Sequence, residues 1–186
     1  MAKKKTARRV PVDPVLIFIN ARGFYHAAGV IDREGEIPAL LWPKIACSVF
    51  ALELYLKCLH RIRRRYIEGH DVGRLFGSLS RVDRSRVTEL YDASIQGHPN
   101  YQGFVDRGLL LDIDSVLTRA SDMFIRGRYW HEHALPRPDR NGITSNVGID
   151  RLSGSIGLYV IELRPDFPGR ANRFQFPFTA IPQQVK

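Results

Sequence analysis

Between Arg119 and His133 the chain reads Arg-Ala-Ser-Asp-Met-Phe-Ile-Arg-Gly-Arg-Tyr-Trp-His-Glu-His, and Arg126, Arg128, His131, Glu132 and His133 crowd titratable groups into two turns. Met123, Phe124 and Trp130 recur beside them at near-helical spacing, so the stretch is expected to close an amphipathic helix. If the helix continues, Arg126 and His133 (i, i+7) share one face and Arg128 stacks over Glu132 (i, i+4) on another. Metal-free RNA cleavage needs the 2′-hydroxyl deprotonated, the leaving oxygen protonated and the phosphorane's charge stabilised. Imidazole suits the proton transfers because it titrates near neutrality. Guanidinium suits the charge because it binds phosphate bidentately. The same side chains would equally make a buried ion-pair network, with Tyr129 and Trp130 as core or interface aromatics. A metal centre is not expected from His131, Glu132 and His133, since neighbours on one turn rarely give tetrahedral coordination. No cofactor is expected.

Two earlier stretches carry polar groups of the same kind. Phe50-Ala-Leu-Glu-Leu-Tyr-Leu-Lys sets Glu53 and Lys57 at i, i+4 within a strongly apolar segment. A carboxylate there needs a partner, and an antiparallel bundle would bring Glu53 opposite Arg128. Gly69-His70-Asp71 then punctuates the chain. Gly69 suits a left-handed residue at a helix end, and Asp71 suits an N-cap. For His70 a hydrogen bond to a neighbouring backbone carbonyl is favoured over a share in the Arg/His cluster's proton chemistry. The central helix ends in His60, Arg61, Arg63, Arg64 and Arg65. These cations either complement the helix dipole or face phosphate as a nucleic-acid-binding patch.

The elements that must position these groups are helical throughout. Helical spacing predicts a first helix over Val15–Ile31, with Leu16, Ile19, Gly23 and Ala27 on one face and Phe18, Ala21 and Tyr25 on the next. Apolar residues over most of the circumference predict a central helix from about Pro38 to Arg65, kinked or begun at Pro43. A short helix follows over Val72–Leu79, striped by Val72, Leu75, Phe76 and Leu79. Another spans Arg84–Ile95, with Ser80 or Asp83 as its cap. Gly97–Gly103 is expected to be a loop, and Phe104–Tyr129 one long helix. Pro136–Gly142 is a break, and Ile143–Leu163 is helical despite three glycines that would permit close packing. The fold class is therefore all-α, an up-and-down helical bundle spanning 15–163. A basic flexible arm (1–14) precedes it, and an extended Pro/Phe-rich tail (164–186) with Phe174, Phe176 and Phe178 follows, laid over the body or a neighbouring subunit.

At 186 residues, with 44% hydrophobic and 25% charged residues, the chain fits one globular domain. Of the net charge of +9, five come from Lys3, Lys4, Lys5, Arg8 and Arg9, which leaves the body only +4. A basic arm on a mildly basic body points to an acidic partner such as RNA, or to simple solubilisation. Cys47 and Cys58 would lie ~16 Å apart on one helix, beyond disulfide reach, and read as reduced core cysteines of a cytoplasmic protein. No stretch is expected to cross a membrane, and the start lacks the apolar run of a signal peptide.

The ordered trio of an E-x-x-x-K helix (Glu53, Lys57), a G-H-D turn (Gly69, His70, Asp71) and an R-Y-x-x-E segment (Arg128, Tyr129, Glu132) resembles a subgroup of the HEPN superfamily. The likeness covers roughly Ile45–His133, about half of the chain. HEPN proteins are small helical bundles common in prokaryotic toxin–antitoxin and defence systems. The resemblance implies a homodimer with the Arg/His region near the subunit interface, and a cognate antitoxin or other protein partner. Many members are metal-independent RNases with an Arg-x4-6-His motif. Two overlapping pairs match it here, Arg126 with His131 and Arg128 with His133. The residue after each Arg, Gly127 or Tyr129, departs from the polar residue usual in the nucleases. Two functions follow: an endoribonuclease or RNA-binding protein using Arg126, Arg128, His131 and His133, or a non-catalytic nucleotide-binding or protein-interaction module in which the cluster is architectural.

Overall fold

The structure is a computed structural model and describes residues 12–33, 40–128 and 146–173, with backbone alone at 124–128, 146–147 and 173. Every extended element among them is a helix, and no strand occurs among the described residues. The all-α expectation holds. In chain order the helices are α1 (Pro14–Arg33), α2 (Leu41–Ile62), α3 (Val72–Gly77), α4 (Arg81–Gln96), α5 (Tyr101–Val105), α6 (Ile113–Arg128), α7 (Asn146–Leu163) and α8 (Phe167–Arg173).

α2 is the hub, packing against α1, α3, α6 and α7. Its sequence is apolar nearly all round, and Ile45, Val49, Leu52, Leu56, Cys58 and Leu59 are buried. Pro43 sits in its first turn, where a missing N–H costs nothing, so the proline marks the start rather than a kink. α1 runs antiparallel to α2: Phe18 meets Tyr55 at 6.1 Å, Phe24 stacks on Phe50 at 5.3 Å, and Lys44 pairs with Asp32. The buried stripe of α1 is Val15, Phe18, Ala21 and Ala28, while Leu16 on the other expected face is exposed. By length and composition alone α1 is long and apolar enough to cross a bilayer (20 residues, mean hydropathy 1.2). Core helices share that property, and one side of α1 lies on α2.

α7 advances in the same sense as α2, with Ser153 donating to the Ser48 carbonyl at 3.3 Å and Gly157 against Tyr55. It runs antiparallel to α4: Tyr159, late in α7, donates to Asp83 at the start of α4, while Gly148, early in α7, lies beside the Tyr91 hydroxyl further along α4. Its glycines let these neighbours approach. A Cβ at Gly148 would stand 2.5 Å from Val116 Cγ2, one at Gly154 2.9 Å from the Tyr25 hydroxyl, and one at Gly157 3.0 Å from Tyr55 Cζ.

Several boundaries differ from the sequence expectation. α2 stops at Ile62, not Arg65, in a left-handed turn: the N–H of Arg65 donates to the His60 carbonyl and that of Arg64 to the Arg61 carbonyl. Arg64 takes the positive φ of 57° that Gly69 was expected to supply. Gly69 does have φ 103°, but in the connection to α3. α4 begins three residues before the expected Arg84, because Ser80 caps it and Asp83 completes a reciprocal capping pair (2.7 and 3.1 Å). The expected helix over Phe104–Tyr129 is two. α5 takes Tyr101–Val105, including residues expected to be loop. Gly108 then turns the chain at φ 75°, and Asp112 accepts from the Ser115 N–H at 2.8 Å to open α6.

At the start of the chain body, Asp13 caps α1 by accepting from the Val15 N–H at 3.0 Å. Asp13 and Pro14 therefore belong to the helix start, not to an arm. The expected extended tail instead begins with a helix, α8, whose Phe167 is fully buried. Residues 1–11, 34–39, 129–145 and 174–186 lie outside the described residues, and with them the basic arm, the Pro136–Gly142 break and Phe174, Phe176 and Phe178.

Candidate functional site

Glu53 lies midway along α2 and is 3% exposed. A carboxylate that deep needs hydrogen bonds to remain charged. Its Oε1 accepts from Lys57 Nζ at 2.6 Å, one turn on, and from His70 Nδ1 at 3.0 Å. Its buried Oε2 meets no donor among the described residues. His70 thus takes a carboxylate at Nδ1, where a backbone carbonyl was the favoured expectation. The glycine at 69, in a conformation costly for any side chain, sets the turn that delivers the ring. Because a carboxylate only accepts, Nδ1 carries the proton and the tautomer is fixed; the ring itself is 58% exposed.

Asp71, the next residue, accepts from the Arg74 N–H at 3.0 Å and so caps α3, as its sequence position predicts. The same Oδ1 accepts from Ser121 Oγ at 3.4 Å on α6. Thus the E-x-x-x-K helix and the G-H-D turn meet in space, and α6 packs on both α2 and α3 beside them. Arg126 and Arg128 occupy the last turn of α6 in backbone, while their side chains lie outside what is described. Tyr129, His131, Glu132 and His133 also lie outside the described residues, and so does the expected approach of Glu53 to Arg128.

The basic end of α2 is divided among several tasks. Arg63 Nη2 donates to the buried Asp83 at 2.6 Å, and Asp83 also accepts from Tyr159 at 2.7 Å and Ser80 at 2.7 Å. Burial pushes the Asp83 carboxyl up, but the bonds from Arg63, Tyr159 and Ser80 outweigh it and hold it below the usual range. This network joins α2, α4 and α7. Arg65 Nη1 donates to the Ser78 carbonyl at 2.7 Å. Arg61 donates to the Val12 carbonyl at 3.4 Å and lies 5.6 Å from the Tyr66 ring centre. Arg64 is exposed at the turn. The run is thus largely a helix terminus with tertiary duties, and Arg61 and Arg64 are the members with the fewest.

Two polar groups of consequence, Asp150 and Arg119, carried no sequence expectation, and a third, His60, was expected only as one of the cations ending α2. Buried His60 meets the Leu75 carbonyl at 3.0 Å through Nε2 and ties α2 to α3; burial pushes its pKa down. Asp150 on α7 is held by Ser48, and burial raises its pKa to about 6. Arg119 donates to the Leu110 carbonyl at 2.6 Å, while its buried Nε and Nη2 meet no acceptor among the described residues. For His60 the signal was the odd polar residue on an otherwise apolar helix; for Asp150 it was an acid inside an apolar helical repeat. No cluster of three or more His, Cys, Asp or Glu suited to a metal forms among the described residues. Set against family models, curated proteins and solved structures, the chain matches none of them.

Proposed function

We propose that this chain is an HEPN-like protein acting on RNA, a metal-independent endoribonuclease of the toxin–antitoxin or defence kind that works as a homodimer. The observation that carries the proposal is the Glu53–His70 pair, a buried carboxylate fixing the tautomer of a solvent-reaching imidazole. It sits where α6, the helix ending in Arg126 and Arg128, packs against α2 and α3. In this scheme Arg126 or Arg128 holds the scissile phosphate, and His70 joins His131 or His133 in moving protons. One set per chain becomes a complete site when a twofold axis supplies the second.

The test is incubation of the purified protein with total RNA, beside His70→Ala and an Arg128→Ala, His133→Ala double variant. The expected result is cleavage by the wild-type protein, slowed roughly 10²-fold or more in both variants, the usual cost of losing a proton-transfer group. Equal and negligible cleavage by all three ends the nuclease reading.

A second reading has its own support in Glu53 Oε2, a buried acceptor of the kind a guanidinium satisfies. If Arg128 serves only that oxygen, the cluster is architectural and the protein is a non-catalytic nucleotide-binding or protein-interaction module. In that case Arg128→Ala lowers the melting temperature by several degrees without changing any cleavage.

A further inference from the structure

Lys57, which holds Glu53 on one side, lines a small pocket on the other. The pocket has a volume of about 170 Å³ and lies between the start of α1, a face of α2 and the connection to α3. Ile17, Leu54 and Ile67 supply apolar walls, Tyr66 an aromatic ring, and Lys57 and Arg61 its only charges among the described residues. Tyr66 is 58% exposed, a large amount for an aromatic side chain, and the Arg61 guanidinium lies 5.6 Å from its ring centre.

From these features we infer that the pocket is the base subsite of a single-stranded RNA, taking one unpaired pyrimidine nucleotide. This deepens the RNA reading above and rests on it. Size comes first: an apolar cavity of ~150 Å³ takes a single benzene ring, so this one suits a six-membered ring. Chemistry comes second. Unpaired bases are held by stacking on exposed aromatic rings and on arginine planes, with cations close by for the phosphates. Tyr66, Arg61 and Lys57 are that set. An aliphatic acid would use the cations and the walls but would gain nothing from the Arg61–Tyr66 stack. Location comes third. Lys57 and His70 share Glu53 Oε1, so a nucleotide seated here brings its backbone alongside the imidazole. The walls offer few polar groups to read a base edge, so binding would tolerate sequence and depend on the ring.

The experiment is fluorescence anisotropy with labelled 2′-O-methyl hexauridylate, which lacks the nucleophile for cleavage, beside a hexamer of the same backbone without bases. The wild-type protein should hold the base-bearing strand at least ~10-fold more tightly, the usual worth of one stacked base. Tyr66→Ala, at an exposed position that should leave folding intact, should erase that difference, and Tyr66→Phe should keep it. A preference for bases that survives in Tyr66→Ala overturns the inference, as does equal binding of both strands by the wild-type protein. So does displacement of hexauridylate by decanoate at a lower concentration than by uridine monophosphate. Tyr66-dependent preference without cleavage of ordinary RNA would fail the nuclease scheme alone. Cleavage with no Tyr66 dependence would fail the pocket alone.

Discussion

Asp83 and Asp150 are both acids taken largely out of water, and their surroundings drive them in opposite directions. Asp83 has three strong donors and titrates below its usual range. Its stabilising effect is therefore present above the unfolded pKa of about 4 and fades as pH falls through the lower folded value. For Asp150, burial dominates, the Ser48 hydrogen bond and Lys44 only partly oppose it, and the pKa rises from 3.8 to about 6. The sign is reversed for such a group: the folded state binds its proton more tightly, so stability declines as pH climbs from about 4 to about 6 and stays reduced above. Asp150→Asn removes that titration while keeping the shape. The variant should match the wild type near pH 3 and exceed it at pH 8 by ~2–3 kcal/mol, read from urea unfolding midpoints at the two pH values. An advantage that is the same at both would mean that Asp150 does not titrate in this window.

The helices show the same dependence on surroundings. Gly148 and Gly23 both interrupt a helix, where glycine costs ~0.5–1 kcal/mol against alanine, but only one is replaceable. A Cβ at Gly148 would press on Val116, a stiff β-branched side chain with no exposed surface into which to move. Gly148→Ala should cost ~1–3 kcal/mol as overpacking. At Gly23 no described atom lies within 4 Å of a built Cβ, and Gly23→Ala should gain ~0.5–1 kcal/mol. Urea melts of the two variants check both signs; a gain at Gly148 would mean that α7 can draw back from α6. The close approach was legible in the sequence as glycines recurring within an apolar repeat, though not which neighbour each admits. The start and buried stripe of α3 were legible, because Asp71 and the spacing of Val72, Leu75, Phe76 and Leu79 are local signals, though the helix ends at Gly77 rather than at the expected Leu79. The division of α5 from α6 was not, since Leu109 to Leu117 keep helical spacing across a turn whose markers are one glycine and one aspartate. The end of α2 was misplaced for the converse reason. An arginine accepts the left-handed position there, held by carbonyls at the helix end, and propensity points to the glycine further on. For the site, Glu53's need of a partner was legible, as was Lys57 one helical turn on, but His70 as the second partner depends on a turn only coordinates place.

In the molecule as a whole, residues far apart in the chain close the structure. α8 has seven residues, too few to be stable alone, so tertiary contacts must hold it. Phe167 is the anchor: it is fully buried, its ring lies 5.6 Å from Phe18 on α1, and the Arg164 guanidinium covers it at 4.4 Å. Arg170 adds a bond at 2.7 Å to Asp13, the residue that caps α1. α1 is thus fixed from α2 on one side and from α8 at its start, next to the pocket walled by Ile17. Phe167→Ala should remove ~3–5 kcal/mol, the usual cost of deleting a buried aromatic side chain. At this chain length that corresponds to a melting temperature about 10 °C lower. Arg170→Ala breaks a pair in which both partners are well exposed and should cost under ~1 kcal/mol. Thermal melts followed by circular dichroism separate the two contributions. If Phe167→Ala shifts the melt no more than Arg170→Ala does, α8 unfolds independently of the bundle and does not fix the start of α1; a large shift confined to Phe167→Ala makes α8 part of one cooperative unit with the helices that carry Glu53 and His70.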